Sequence, residues 1–364
     1  MKIAIVHDYL NQFGGAERVI SALRELYPDA PIYTSIYDAK RMPDNFREMD
    51  IRTSFMQKFP FVFKLFKYYF LFYPLAFESF DLSGYDVILS SSSAFAKGIK
   101  KRKGQLHICY CYTPMRFVWR YDDYVGREGY PEFIKKILPI VLGPLKKWDL
   151  ETVDNVDYFI AISKIIAERI KKTYRRESDI IIPPVECSLF QPSNQAQDYF
   201  LVLSRLNAYK RIDLAVKAFN KLDLPLRIIG DGPDKMSLER MANPNIQFLG
   251  RVSDRELAEN LAECRALIFP GEEDFGIVPV EAMASGRPVI AYRAGGAEET
   301  VLDGETGLFF DKQDVDSLVD AIKKFQFMTF DKKKIREWAE GFDKEIFKNK
   351  MREFITSKFR ELVR

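Results

Sequence analysis

Short apolar runs alternate with amphipathic stretches along most of the chain. Apolar runs of four to seven residues suit strands buried on both faces, so the pattern predicts an α/β fold with parallel sheets covered by helices on both sides. In the first half the strand candidates are 3–6, 86–90, 106–112, 158–162 and 180–182. Val19, Ile20, Leu23 and Leu26 recur at helical spacing directly after Gly14 and Gly15, which predicts the first crossover helix over 16–26.

The rhythm breaks where Pro183, Pro184 and Pro192 flank a short mixed stretch, as a linker between domains would. Beyond it, strands at 199–204, 226–230, 246–250, 266–269 and 288–292 alternate with helices at 212–222, 255–264 and 278–284, and Ser253 is placed to cap the second of these. The tail 343–364 is helical by pattern, with Ile346, Met351, Phe354, Ile355 and Leu362 among charges. A chain of 364 residues suits two cores better than one. The expectation is two Rossmann-like domains, 1–190 and 191–342, with the helix 343–364 docking back on the first.

With 47% apolar and 29% charged residues the chain has the balance of an ordered globular protein, and a formal net charge of +3 gives no reason to expect nucleic acid as a partner. The four cysteines, at 109, 111, 187 and 264, form no CxxC pair, which points to reduced thiols and no metal site. Residues 2–6 open directly into a strand-like run rather than a signal peptide, and the longest uncharged apolar run, 68–77, is too short to span a bilayer. A cytoplasmic protein is expected. Residues 55–80 interleave Lys58, Lys64 and Lys67 with aromatics and Leu, which suits either an element lying on an anionic membrane or packing inside the first domain. Lys97, Lys100, Lys101, Arg102 and Lys103 form a second basic cluster that could face the same surface, giving a peripheral position on the inner face of the cell membrane.

Candidate chemistry concentrates in the stretch from Phe269 to Ile290, which places a loop between a strand and a helix. Ligands of open α/β sheets bind at such loops, and Gly276 lets main-chain amides at the helix start approach a phosphate. Glu273 in the loop and Glu281 in the helix can grip different parts of one extended ligand. A carboxylate accepts from two hydroxyls at once, which suits a ribose diol or a sugar without help from a metal.

This stretch resembles the family-4 retaining glycosyltransferases of the GT-B fold, whose E-x7-E motif is matched by Glu273 and Glu281, with Phe275, Gly276 and Ile277 between them. The family also carries an Arg and a Lys about five residues apart after the first strand of its second domain, matched by Arg205 and Lys210. Gly295-Gly296-Ala297-Glu298 and the turn from Asp303 to Gly307 follow the family pattern too, and Gly14-Gly15-Ala16-Glu17 resembles its glycine loop after the first strand. The resemblance implies two Rossmann-like domains whose parallel sheets face each other across a cleft. It implies a nucleotide diphosphate sugar as donor substrate, with no cofactor and no metal. Arg205 and Lys210 would clamp the diphosphate, Glu273 would orient the sugar and Glu281 would hold the ribose. Two fixed cations stabilise the charge that grows on the leaving diphosphate more than they stabilise the ground state.

The stretch from Leu106 to Trp119, including Arg116, is similar to a subgroup often assigned to mannosyltransferases of lipopolysaccharide O-antigen assembly. That similarity implies mannose transfer from GDP-mannose to a saccharide or polyprenyl-linked acceptor. The subgroup usually has His where this chain has Tyr112, and tyrosine cannot become cationic near pH 7. His7, at the end of the first strand, is the better candidate for a substrate contact, because His107 lies at an odd offset from Tyr112 and points to the other face. The substitution leaves a second reading open, a catalytically weak sugar-nucleotide binder or assembly scaffold of the same fold. A dinucleotide dehydrogenase is set aside, since no GxGxxG follows the first strand.

Overall fold

The computed structural model describes residues 1–120 and 132–364, and the chain divides into two compact units, Met1–Pro184 with Phe347–Arg364, and Val185–Ile346. Each is built on one all-parallel sheet, as the alternation of apolar runs predicts.

The sheet of the first unit has seven strands: β1 (Ile3–His7), β2 (Ile32–Thr34), β3 (Ile51–Thr53), β4 (Val87–Ser92), β5 (Leu106–Cys111), β6 (Tyr158–Ala161) and β7 (Ser178–Ile180). Their order is β3-β2-β1-β4-β5-β6-β7. β1, β4 and β5 are buried along their whole length, which suits their apolar residues, while Ser90, Ser91 and Ser92 at the end of β4 and His107 in β5 are buried polar side chains. β2 and β3 were not expected from the pattern; each is only three residues long, and the edge strand β3 carries Arg52 and Thr53 towards solvent. β7 ends where the expected strand 180–182 begins, at an exposed edge. Ile180 is 41% exposed and Ile181 is buried beyond the strand. The core on one face of this sheet joins Ala4, Val6 and Ile88 to Tyr73, Phe77 and Phe95.

Residues 55–80 form a run of short turns and helices, Phe55–Lys58, Val62–Leu65, Phe66–Tyr69 and Tyr73–Glu78, rather than one amphipathic helix. Val62, Tyr73, Ala76 and Phe77 are buried in the core, while other side chains of the run stay outside. Of the second basic cluster, Lys97 is not a surface charge, whereas Lys100, Arg102 and Lys103 are exposed. Lys97 is 2% exposed and pairs at 2.9 Å with Asp149, itself fully buried. Lys97 Nζ also donates to the Asp149 carbonyl and to Thr152 Oγ1, both at 2.6 Å, while Trp119 Nε1 and the Tyr174 hydroxyl donate to the Asp149 carboxylate at 2.6 and 2.9 Å. Lys100 pairs with Glu78, Lys101 with Asp157 and Arg102 with Asp81.

The helix Lys344–Leu362 reaches into the first unit with its later part, where Phe347 sets its ring edge against Tyr110 at 5.7 Å and Phe354 does the same to Tyr158 at 6.0 Å. All four cysteines are free and buried, and Cys109 and Cys111 meet on one face of β5, as their spacing predicts.

The second unit holds β8 (Phe200–Leu203), β9 (Leu226–Ile229), β10 (Ile246–Gly250), β11 (Leu267–Phe269), β12 (Val289–Tyr292) and β13 (Gly307–Phe310), in the order β10-β9-β8-β11-β12-β13. Helix Ile212–Leu222 packs Ala215, Val216, Ala218 and Phe219 into the core beside Phe200 and Ile268. Of these, side chains the size of Val216 and Phe219 contribute about 1.5–3 kcal/mol each when fully buried. Ser253 caps helix Asp254–Glu263, its Oγ accepting from the Glu256 amide while the Glu256 carboxylate accepts from the Ser253 amide at 2.9 Å. No helix among the described residues is long and apolar enough to cross a membrane.

Candidate functional site

In both units the strand order reverses between the first strand and the fourth, which lie side by side, β1 beside β4 and β8 beside β11. Crevices outside the carboxyl ends of strands at such a reversal are where open α/β sheets take ligands. Of the residues expected to carry chemistry, Gly14, Arg205, Lys210, Glu273, Phe275 and Gly276 fall on the loops that follow these strands, Glu281 lies in the helix after one of them, and Tyr112 and Arg116 follow β5.

In the second unit the loop after β8 carries Arg205, exposed, and then the turn Ala208–Lys210. The loop after β11 carries Glu273. Because β8 and β11 are neighbours, the two loops meet: Lys210 Nζ donates to Glu273 Oε1, with Lys210 11% and Glu273 24% exposed. A small cavity lies here, lined by Ser204, Lys210, Phe269, Gly271 and Glu273 among others. Gln313 bridges the loops from a third side, accepting from Arg211 Nη1 at 3.0 Å and donating to the Pro270 carbonyl at 3.1 Å.

The backbone of the second loop is held by glycines. Gly276 takes a φ of 87°, a left-handed conformation that side chains disfavour, and turns the chain into helix Ile277–Ala284 so that the amides of its first turn face the loop. Gly296 donates its amide to the Glu273 carbonyl at 2.8 Å, and a Cβ at that position would lie 2.2 Å from the Phe275 main chain. Phe275 is buried, and Glu281, in the middle of the helix, is 2% exposed.

In the first unit the loop after β1 lies against the end of β4. His7 Nδ1 is 3.1 Å from both the carbonyl and the hydroxyl of Ser91, and its Nε2 is 3.7 Å from Glu17 Oε1. The other oxygen of Glu17 accepts the Gly14 amide at 2.8 Å, which fixes the turn into helix Gly15–Leu26. Asp8 is 2% exposed, and its carboxylate accepts from the amides of Ser93, Ala94, Phe95 and Ala96 and from the Ser93 hydroxyl, at 2.6 to 3.1 Å. Tyr112 stands one residue beyond β5, and its hydroxyl donates to the Ala16 carbonyl at 3.1 Å and meets Ser91 Oγ at 2.8 Å. Burial drives its phenol well above the ordinary range, so it remains a neutral hydroxyl. Arg116 opens the short helix Arg116–Trp119. Among the described residues no group of three or more His, Cys, Asp or Glu is arranged to hold a metal ion.

Residues 190–340 match the family described as Glycosyl transferases group 1. The chain carries a group 1 glycosyltransferase domain. Arg205, Lys210, Glu273, Phe275, Gly276, Ile277 and Glu281 lie inside the group 1 domain, and His7, Gly14, Gly15, Tyr112 and Arg116 lie outside it.

The chain is 31% identical over 173 residues to an uncharacterized glycosyltransferase of Methanocaldococcus jannaschii, covering 46% of this chain and 49% of that protein. It is 37% identical over 138 residues to the GDP-mannose-dependent alpha-(1-6)-phosphatidylinositol monomannoside mannosyltransferase of Mycolicibacterium smegmatis, covering 33% of this chain and 36% of that one. The matches thus span half or less of these curated relatives. Over 98% of its length the chain has the fold of Anabaena HepE, solved in complex with UDP, with a TM-score of 0.73, 17% identity and all of that chain covered. The expected GT-B fold, of two Rossmann-like α/β parts, is the fold of this chain.

The sequence did not single out Ser91 or Gln313 as parts of these loops, and it gave Asp8 and Glu17 a place in them but no role of their own. The position of Asp8 after an apolar strand was a signal. Its partners lie more than 80 residues away, where no local pattern reaches.

Proposed function

We propose that this chain is a retaining, metal-independent glycosyltransferase that moves a hexosyl group from a nucleotide diphosphate sugar to a saccharide or lipid-linked saccharide acceptor in surface polysaccharide assembly. The observation that carries the reading is the convergence of Lys210 and Glu273 at the strand-order reversal of the group 1 domain. A cation and a carboxylate side by side, next to the amides of a helix start, are what a phosphate linked to a sugar requires. Lys210 and Arg205 hold the diphosphate, Glu273 the sugar hydroxyls and Glu281 the ribose. Gly276 and its neighbours Phe275 and Ile277 shape the phosphate turn, and in the first unit His7, Gly14, Gly15 and Arg116 serve substrate binding directly, Tyr112 through the glycine turn that it braces.

As the glycosidic bond breaks, negative charge grows on the β-phosphate oxygen, and the two cations stabilise it more than they stabilise the bound donor. The departing oxygen takes the acceptor's proton on the face it vacates, which retains the anomeric configuration without a separate base. GDP-mannose is the favoured donor, supported by the GDP-mannose dependence of the mycolicibacterial relative.

The second reading is a sugar-nucleotide binder with little turnover, favoured by Tyr112, whose hydroxyl is already engaged by Ala16 and Ser91. Purified protein incubated with GDP-, UDP- and dTDP-sugars, with and without chelator and lipid-linked acceptor, separates the two. Chelator-resistant nucleotide release from one donor, with an anomer-retaining product by NMR, supports transfer. Thermal stabilisation by a donor without release supports the binder, and stabilisation by none of them removes both.

A further inference from the structure

Residues 51–77 contain no Asp or Glu, while Arg52, Lys58, Lys64 and Lys67 are all cationic. Arg52 is neutralised by Asp50 at 2.7 Å, but none of the three lysines has an ion-pair partner among the described residues, and all three are exposed. In the same stretch the side chains of Phe55, Phe61, Leu65, Tyr68, Leu71, Phe72 and Leu75 are 38 to 75% exposed. Scattered exposed apolar residues need no explanation, but a run of seven within 21 positions, with lysines as the only charged residues among them, does.

The surface is preformed. Beneath it Phe59 sets its ring against Tyr69 at 5.0 Å and Phe72 at 5.2 Å, and Tyr73 stacks on Phe95 at 4.4 Å. Phe61, the most exposed of the seven at 75%, is held at a φ of 48°, a left-handed conformation unfavourable for a bulky residue. The turn is fixed by the Tyr69 hydroxyl donating to the Pro60 carbonyl at 2.9 Å and by the amides of Lys64 and Leu65 donating to the Phe61 carbonyl, both at 2.9 Å. The backbone at Phe61 is therefore strained where its aromatic ring stands in solvent.

We propose that the face formed by residues 55–75 is a docking surface for an anionic lipid bilayer. The aromatic and leucine side chains enter the interface between headgroups and acyl chains, and Lys58, Lys64 and Lys67 meet anionic headgroups. The charge selects this occupant: a second copy would bring the same lysines against one another, whereas an anionic membrane complements them. The face also backs onto the loop after β1, since the Phe66 ring lies edge-on to Tyr9 at 5.2 Å, two residues beyond His7. The inference rests on the functional reading only in expecting a lipid-linked acceptor, and its test does not depend on turnover.

The full chain is mixed with phosphatidylcholine vesicles, with and without phosphatidylglycerol, and bound protein is measured by flotation. Binding to the anionic vesicles that weakens with salt, and that falls at least about tenfold both in Phe61→Asp/Leu75→Asp and in Lys58→Glu/Lys64→Glu/Lys67→Glu, supports the proposal. The altered side chains are exposed, and unchanged melting temperatures with unchanged nucleotide-induced stabilisation confirm folded variants. Equal binding to neutral vesicles, no binding to either, or variants that float like the original chain would overturn it. So would a concentration-dependent dimer in analytical ultracentrifugation that Phe61→Asp abolishes, since the face would then belong to a second copy. Vesicle binding without glycosyl transfer sinks only the functional reading, and transfer without vesicle binding sinks only this one.

Discussion

The hydroxyl of Tyr112 donates to the main-chain carbonyl of Ala16 at 3.1 Å, joining the end of β5 to the first turn of helix Gly15–Leu26. Ser91 Oγ, 2.8 Å from the same hydroxyl, extends the chain of bonds to His7. At this position tyrosine braces the glycine turn from behind. Tyr112→Phe should lower stability by about 1 kcal/mol, the ordinary net value of a hydrogen bond, while shifting donor affinity little. Urea denaturation and donor titration of the same variant check both parts; a large loss of affinity with unchanged stability would make Tyr112 a substrate contact instead.

Lys210 pairs with Glu273, so a diphosphate held by the lysine competes with that carboxylate. Lys210→Ala should reduce kcat by about a hundredfold, or about 3 kcal/mol, as loss of one electrostatic stabiliser does. Glu273→Gln keeps the shape and releases the lysine. It should bind free nucleotide diphosphate at least as tightly as the original chain and still turn over more slowly. Calorimetry beside initial-rate kinetics distinguishes this from simple damage to the loop.

The Lys97–Asp149 pair is buried with its bonds satisfied by Thr152, Trp119 and Tyr174. Removing one partner strands the other charge in the core. Asp149→Ala should cost about 3–5 kcal/mol in a denaturation experiment, and adding Lys97→Met to it should recover part of that loss.

His107 is fully buried on β5. Its Nδ1 donates to the Asn155 carbonyl at 2.8 Å, which leaves Nε2 to accept from the Ser90 hydroxyl at 2.7 Å. Burial lowers its pKa from 6.5 to about 4, the bond to the Asn155 carbonyl opposing in part. The folded state thus refuses a proton that the unfolded state accepts. The stability from this group is complete above pH 6.5 and is lost as the pH falls to about 4, where both states are protonated. The full loss is on the order of 3 kcal/mol. Denaturation between those pH values should show a slope that His107→Asn flattens, and an unchanged slope would contradict the assignment.

Legibility varied with how local the cause was. Helix Ile212–Leu222 and strand Ile246–Gly250 coincide with the spans expected from periodicity, and Ser253 caps where its type and position predict. β2 and β3 escaped because three residues cannot display a period of two, and the apolar run at 180–182 misled because most of it follows the strand. Lys97 passed for a surface charge, since its partner Asp149 lies 52 residues on. The carboxylates and cations of the candidate site stood out by their places in strand-loop-helix order. That Lys210 and Glu273 touch follows from β8 and β11 being neighbours, a crossover that no window of local sequence contains.

The two ends of the second unit are stitched together: Val185 donates its amide to the Phe342 carbonyl at 3.2 Å and accepts the Lys344 amide at 2.9 Å. That unit is therefore a closed insert within the chain of the first. During synthesis on the ribosome it can fold as soon as it emerges. The first unit must wait, its Tyr110 and Tyr158 rings uncovered until Phe347 and Phe354 have followed the whole insert out. A chain released at residue 346 would thus carry a complete second unit and an incomplete first one, the state in which a chaperone would find something to hold.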